Sequence, residues 1–480
     1  MKKIKKKIYA KIVFKLISPL ALSSGNNANS DKDAALDSRG FPYIPASSIA
    51  GVCRNALTKE VGDQGETQYI NYYFGYVYKN TGKEDSNAGK TEEQSENSRV
   101  IFYDAYINDT SFDNAFRITI RDGVKLNEFK TAVKGAKFDM EVVEPPVEGL
   151  SFTTYVAQDI HDNQDKDQID RIIDLFRSGQ LAFGGKTMRG YGLVKLEGFR
   201  KAEFSLDQSA DVEKWISFNM YEDASWDKYG LESSGADYKN TDIIESTSTG
   251  HAISEKTNYK LYPSLTLELH PKGAIAIRKY STRPSEAEDM PEPDYEQLTI
   301  LRRNSAKSNQ EKDNDKEVPV IPGTSWAGAF RHRMRSLGLS EASIHDLFGN
   351  VSKVDSHKSN ISFSESRFKG AKEKVMSRTA IDRFTGGAVE GALYTERIYY
   401  GGEANLIISF RRNLEDQEIN ILAATIADLH FGFLAVGGLT SIGRGLFTID
   451  KVNGEEMADS PKVFSFLKEK IEKMQKEEGT

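Results

Sequence analysis

The sequence predicts an α+β protein built from two tandem copies of one small domain. The main observation is a motif that occurs twice, at residues 44–54 (IPASSIAGVCR) and 321–331 (IPGTSWAGAFR). A glycine-rich run follows each copy, at 184–192 (GGKTMRGYG) and 437–445 (GGLTSIGRG). Two motifs that recur in the same order, far apart, indicate a duplicated domain. Within each copy the hydrophobic patterns read as strand, helix and strand, which favours a small α+β module.

Composition sets the broad class of the protein. The chain has 480 residues, which suggests two or three domains of roughly 150 residues each. No run of about 20 apolar residues occurs, so we expect no membrane span. The single cysteine, Cys53, excludes an internal disulfide and fits a reducing, cytoplasmic location. It falls on the apolar side of a predicted helix, which favours a core residue over a nucleophile.

The net charge of −7 does not by itself suggest a nucleic-acid partner. Much of the acidity lies in segments that we interpret as linkers or insertions, among them the polar stretch 81–98. The predicted division of the chain is a first domain at 1–205, an acidic linker at 206–256, a second domain at 257–455 and a C-terminal helix at 456–480.

Hydrophobic periodicity gives the elements of each copy. In the first copy we predict strands at 8–20, 100–105, 149–156 and 193–196, and helices at 48–59 and 167–178. In the second copy we predict strands at 259–269 and 405–410, and helices at 325–337, 418–432 and after 460. A short helix near 212–218 is expected inside the linker.

The repeated motif places small polar residues at the predicted start of a helix. A Ser or Thr at this position acts as an N-cap, and the free amides of the first turn attract phosphate. The first turns of these helices would also carry arginines for phosphate contacts. The candidate phosphate-binding residues are Ser47, Ser48, Arg54, Thr324, Ser325 and Arg331. The alternative is a plain helix cap with surface arginines, which the repetition makes less favourable.

The glycine-rich runs predict a second contact with a ligand backbone, because glycines adopt positive φ and expose their amides. The candidates are Gly184, Gly185, Lys186, Arg189, Gly437, Gly438 and Arg444. The spacing GxxxxGK[ST] is absent, which disfavours nucleotide hydrolysis. A glycine-rich turn with no ligand is the alternative.

The combined pattern SPL…SG…D…D..G.PYIP.SS..G..R, followed by FG and a late GG….G.G strand, resembles the RAMP superfamily, the RNA-binding subunits of CRISPR effector complexes. Both halves are similar to backbone subunits of type III complexes, here fused in a type III-D-like manner. The resemblance implies modified ferredoxin-like (RRM-like) domains, each with a thumb hairpin that displaces one base pair of the guide–target duplex. It implies guide RNA, target RNA and other effector subunits as partners. Arg383 and Phe384 resemble the segment leading into the thumb, with Phe384 as the wedge.

Active members of this family cut target RNA by attack of its own 2′-hydroxyl, usually with a divalent metal such as Mg²⁺ or Mn²⁺. The resemblance assigns this role to an aspartate in the loop before the helix motif, which would position the hydroxyl, take its proton or hold the metal. Asp31 fits best and Asp33 is second. In the second copy the spacing is stretched, Gln297 falls near the expected position, and Asp294 or Asp289 remain as candidates. The metal ligands are unknown.

Two other functions remain open at this point. The chain would act as a non-catalytic RNA-binding scaffold if other subunits cut. It would be a processing endoribonuclease if it cut precursor RNA itself. A histidine-based site near the N-terminus is typical of the latter, and no histidine precedes His161.

Overall fold

A computed structural model describes residues 3–23, 33–61, 66–78, 94–108, 116–127, 131–162, 165–230, 262–279, 293–301, 317–351 and 356–476. Within these ranges no helix is both long and apolar enough to cross a membrane. The predicted insertion 81–98 lies mostly outside the described residues, as does Asp31.

The first half of the chain contains β1 (Lys6–Leu16), α1 (Ala46–Val61), α2 (Glu66–Phe74), β2 (Tyr76–Tyr78), β3 (Gln94–Glu96), β4 (Val100–Phe102), β5 (Tyr106–Ile107), β6 (Arg117–Leu126), β7 (Ala132–Glu144), β8 (Leu150–Ile160), α3 (Ile169–Arg177), β9 (Val194–Ser205), α4 (Ser209–Ile216) and α5 (Asp223–Tyr229). A 3₁₀ turn at Thr187–Arg189 lies in the glycine run.

The second half contains β10 (Ser264–Pro271), β11 (Ala274–Ile275), β12 (Arg278–Lys279), β13 (Tyr295–Gln297), β14 (Thr299–Leu301), β15 (Glu317–Ile321), α6 (Gly323–Ser336), α7 (Glu341–Phe348), β16 (Asn350–Val351), β17 (Ser356–His357), β18 (Ile361–Phe363), β19 (Ser366–Arg367), β20 (Lys372–Ile381), β21 (Ala388–Tyr400), β22 (Ala404–Phe410), α8 (Asp416–Phe431), β23 (Phe447–Val452), β24 (Glu455–Glu456) and α9 (Val463–Lys476). A 3₁₀ turn at Thr440–Ile442 again lies in the glycine run.

The main sheets of the two halves have the same topology. The strand order is β4-β8-β1-β9 in the first and β18-β22-β10-β23 in the second, with antiparallel neighbours throughout. Both first strands carry a register shift against the last strand, between Val13 and Phe14 and between Glu268 and Leu269. The shared irregularity confirms that the halves are copies of one α+β fold.

Each sheet buries one face under two helices, α1 and α3 in the first half and α6 and α8 in the second. The predicted apolar side of the helix at 167–178 is confirmed, since Ile169, Ile172, Ile173, Leu175 and Phe176 are all buried in α3. Cys53 lies in the same core, and burial raises the pKa of its thiol to about 12. This confirms its reading as a core residue, because a neutral buried thiol is a poor nucleophile.

A long hairpin leaves each half next to its sheet, formed by β6 and β7 in the first half and by β20 and β21 in the second. At about 3.3 Å per residue, the ten residues of β20 extend roughly 30 Å. Most side chains along β20 are exposed, so this hairpin projects from the body of the protein.

The segment predicted as an acidic linker is folded in its first part. Helices α4 and α5 cover the far part of β9, where Trp215, Phe218 and Trp226 pack with Phe204. Residues 206–230 are therefore folded against the first half, and the short helix predicted near 212–218 is present as α4. Residues 231–256 lie outside the described ranges, and the remaining domain boundaries stay predictions.

The two halves meet at a surface that we call the seam, which contains a buried ion cluster. The Arg121 guanidinium on β6 lies 2.8 Å from Glu144 Oε1 and 2.7 Å from Glu365 Oε2 of the second half. All three side chains are almost completely buried. The first hairpin is therefore joined to the second half by charged hydrogen bonds in a dry environment.

Candidate nucleic-acid interface

The start of α1 does not use its serines as N-caps. The helix begins at Ala46, so Ser47 and Ser48 lie inside its first turn. The Ala46 amide donates to Asp104 Oδ1 at 2.7 Å. The N-cap prediction was wrong because the capping carboxylate comes from a residue far away in sequence. With a carboxylate already at this helix end, its attraction for phosphate is weakened.

The start of α6 is covered by the first half. The helix begins at Gly323 without a side-chain cap, and Thr324 and Ser325 lie half-buried in its first turn. A Cβ on Gly323 would lie 2.1 Å from Phe363 O and 2.4 Å from Arg189 O, so only glycine fits here. Gly323 therefore allows the close approach of two protein backbones at the seam.

The two motif arginines lie in the third turns of their helices rather than in the first turns as predicted. Arg54 donates to Gly75 O at 3.0 Å and to Asn71 Oδ1 at 2.6 Å. It therefore joins α1 to the end of α2, which is a structural role.

Arg331 is different, because its buried Nε has no hydrogen-bond partner among the described residues. Burial and the Arg335 charge lower its pKa, against an opposing effect of Glu341. Nearby, burial and the Arg331 charge lower the pKa of Arg189 to about 10. Arg189 donates hydrogen bonds to neutral oxygens of Met188, Phe348 and Ser359. The seam therefore holds two partly desolvated guanidinium groups that an anion would stabilise.

The leading glycines of both runs use their amides within the protein. The Gly185 amide donates to Ala21 O and the Gly438 amide donates to Ala276 O, each at 2.7 Å. A Cβ on Gly184 or Gly437 would lie 2.5 Å from the same carbonyl. The Gly185 and Gly438 amides are therefore already bonded within the protein, and close backbone packing requires glycine at 184 and 437. Binding of RNA by the two runs stays a prediction.

The charged residues of the runs also contact the protein. Lys186 Nζ lies 3.9 Å from the centroid of the Phe138 ring on β7. Arg444 is buried and donates to Glu396 Oε1 at 2.5 Å and to the Tyr400 hydroxyl at 2.9 Å. Arg444 therefore joins its run to β21, which is a structural role, and its predicted contact with RNA stays a prediction. Its acidic partner, 48 residues away, gives no local signal in the sequence.

Arg383 and Phe384 lie at the tip of the second hairpin, not in a segment leading into it. The Asp382 carboxylate accepts the amides of Phe384 and Thr385 at 2.9 and 2.7 Å, and these bonds lower its pKa. This fixed turn presents the Phe384 side chain at 89% exposure. An aromatic ring held in solvent at a hairpin tip suits stacking on a base.

Two of the candidate catalytic aspartates are described. Asp33 is buried, and the next residue, Ala34, donates its amide to Glu141 Oε2 on β7 at 3.0 Å. Asp294 exchanges hydrogen bonds with Thr395 on β21, accepting the Thr395 amide on Oδ2 at 2.8 Å. Both aspartates therefore lie in segments that contact a hairpin of their own half.

Strand pairing indicates that Asp294 and Asp31 occupy equivalent positions in the two copies, which counting residues back from the helix motif did not show. Leu36 pairs with Pro42, and Thr299 pairs with Pro319 at the same distance before the helix motif. Asp31 and Asp294 each precede the paired residue by five positions. The stretched spacing arises after β14, at 302–316. Gln297 is buried and donates to Val320 O, so it is a structural residue.

No group of three or more His, Cys, Asp or Glu side chains that could hold a metal occurs among the described residues. The divalent metal expected from the resemblance stays a prediction. Asp294 offers one carboxylate, and Mg²⁺ sites commonly combine one or two carboxylates with substrate phosphates. Asp294 would therefore contribute one ligand to such an ion, with the other oxygens coming from the bound RNA.

Comparison with known proteins gives one family match. The model of the RAMP superfamily matches residues 13–195 and 302–448, one segment in each half. Among solved structures, a chain from the cryo-EM structure of the type III-B Cmr-beta bound to cognate target RNA is similar, with a TM-score of 0.30 and 16% identity. The match covers 41% of this chain and 61% of that chain. No curated protein sequence matches.

Proposed function

The chain belongs to the RAMP superfamily, and on this premise we propose that it is a double backbone subunit of a type III CRISPR ribonucleoprotein. In this proposal it binds the guide RNA and cleaves complementary target RNA. The main observation that supports RNA binding is the pair of guanidinium groups, Arg189 and Arg331, at the seam. Among the described residues Arg331 Nε has no hydrogen-bond partner, and Arg189 donates to neutral oxygens. Phosphate oxygens bound there would supply acceptors and restore the ordinary pKa of both arginines.

Cleavage is proposed at Asp31 in the first half and Asp294 in the second, with Asp33 as the alternative in the first. The target 2′-hydroxyl would attack the adjacent phosphorus and the bond to the 5′-oxygen would break. The products are a 2′,3′-cyclic phosphate and a 5′-hydroxyl. The carboxylate would orient the 2′-hydroxyl or accept its proton. A bound Mg²⁺ or Mn²⁺, held by the aspartate and target phosphates, would supply stabilisation of negative charge.

A non-catalytic scaffold is the second candidate. It is favoured by the burial of Asp33 and by the bond between Asp294 and the Thr395 amide, because both fit structural roles. In the scaffold case the aspartates hold the hairpins and other subunits cut the target.

The test is target cleavage by the assembled, guide-loaded complex carrying Asp31→Asn, Asp33→Asn or Asp294→Asn. We expect Asp294→Asn to remove one cut position and Asp31→Asn another, with target binding retained. Asp450→Asn, at an exposed carboxylate beside His270, is the control. Unchanged cut positions with all three aspartates replaced would contradict cleavage by this chain and leave the scaffold.

A further inference from the structure

Besides Arg121, two polar side chains near the glycine-rich run of the first half contact the second half. Gln180 exchanges two 2.7 Å hydrogen bonds with the main chain of Tyr262. Arg189, at the end of the 3₁₀ turn, donates to Phe348 O at 2.8 Å and to Ser359 Oγ at 3.3 Å. Gln180 therefore contacts a backbone amide and carbonyl of the second half, and Arg189 contacts a backbone carbonyl and a hydroxyl.

The duplication identifies the same two positions on the second half. Gly179 and Gly432 both have positive φ after α3 and α8, so Phe433 corresponds to Gln180. The same alignment of the two copies pairs the hydrogen bond from Phe183 N to Gly192 O with the one from Val436 N to Gly445 O. Ile442 corresponds to Arg189, because each ends a 3₁₀ turn immediately before a positive-φ glycine.

Both corresponding residues are apolar and exposed, Phe433 at 71% and Ile442 at 48%. We call the surface formed by Phe433 and Ile442 the free face. Burying the side chains of Phe433 and Ile442 against a partner would stabilise the association, whereas in the isolated chain they are exposed and add no stability. The free face thus corresponds to the surface of the first half that the second half covers at Gln180 and Arg189.

A second copy of this chain is a poor match for the free face. The site on the first half that corresponds to the Arg189 acceptors lies at Phe74 and Ser98. Ser98 Oγ lies within hydrogen-bond distance of the Tyr73 and Val100 carbonyls, as Ser359 Oγ does of the Leu347 and Ile361 carbonyls. The Arg99 guanidinium lies 3.6 Å from the Tyr72 ring centroid beside it. Ile442 cannot donate to such polar groups, and covering them without partners is costly.

We infer that the free face binds a different protein chain, one that presents an apolar surface, as the neighbour of this chain in the ribonucleoprotein. The inference that this face is a binding surface depends only on the duplication. The inference that its partner is a subunit of the ribonucleoprotein depends on the proposed function. The change from Gln and Arg to Phe and Ile makes this contact chemically different from the internal seam.

The test places the photocrosslinker p-benzoylphenylalanine at position 433 or 442 in the native complex, with position 216 as control because Ile216 is 73% exposed on α4. We expect crosslinks from 433 and 442, and none from 216, to an apolar peptide of one other subunit, identified by mass spectrometry. A crosslink to RNA, to a second copy of this chain, or to nothing would overturn the inference.

A second measurement uses Phe433→Asp with Ile442→Asp, compared with Ile216→Asp. Native mass spectrometry should show loss of the crosslinked subunit only in the double variant, with RNA retained. Retention of that subunit would contradict the inference. If wild-type complex carried no RNA but still gave the protein crosslink, the proposed function would fail while the free face stood.

Discussion

The two halves share one fold but use its equivalent surfaces differently. In the first half Arg54 is bonded inside the domain and the glycine turn packs against α6. In the second half Arg331 has an unpartnered Nε and the corresponding turn is exposed. The comparison teaches that a repeated motif conserves the fold of each copy, whereas the role of each side chain depends on what covers it.

The largest expected effect tests whether the seam joins the halves. Replacing Arg121 by Met leaves the buried Glu144 and Glu365 carboxylates without their closest guanidinium, which should cost about 3–5 kcal/mol of unfolding free energy. Chemical denaturation measures the loss. Lys214→Met, which removes an exposed pair with Asp211, is the control and should change little. Equal losses in both variants would contradict a seam held by this cluster.

The next prediction uses two equivalent glycines. Gly190 and Gly443 have φ of +79° and +82°, so alanine is strained at both. A Cβ on Gly190 would lie 2.8 Å from Phe363 O, whereas one on Gly443 meets nothing within 4 Å. Gly190→Ala should therefore destabilise by about 1–3 kcal/mol more than Gly443→Ala, measured by chemical denaturation. Equal values would show that the first turn does not pack at the seam.

Substitution of the two motif arginines should affect different properties, stability for Arg54 and RNA affinity for Arg331. Arg54→Met loses hydrogen bonds to Gly75 and Asn71, which should lower the unfolding free energy by about 1–3 kcal/mol. Arg331→Met should leave stability unchanged but weaken guide RNA binding. The slope of log affinity against log salt should fall by about 0.7 for one lost phosphate contact to a single strand. An unchanged slope would exclude Arg331 from the RNA site.

The smallest effect concerns the hairpin tip. Phe384→Ala should weaken binding of complementary target to the guide-loaded complex by about 1–3 kcal/mol, the range for loss of one base-stacking ring. Leu393→Ala, at 66% exposure on the same hairpin, is the matched control and should have no effect on target affinity. Filter binding at fixed salt measures both. Equal affinities for the two variants would contradict a wedge at Phe384.

Much of the fold was predictable because it follows from local patterns. The apolar periodicity gave α3 and α8 within two residues at each end, and the repeated motif gave the duplication. The site was less predictable, because the partners of its residues are distant in sequence. Asp104 caps α1 and Glu396 holds Arg444, and neither lies in the motif that it serves. The aromatic residues in the acidic segment 206–230 were a usable signal for folded structure.

The proposed function requires both halves to contact one RNA strand. Ultraviolet crosslinking of the native complex, with sequencing of the crosslinked peptides and nucleotides, tests this directly. We expect crosslinks near Arg331 at the seam and from each hairpin, at separate positions along the same RNA. Crosslinks confined to one half, or none from either, would contradict it.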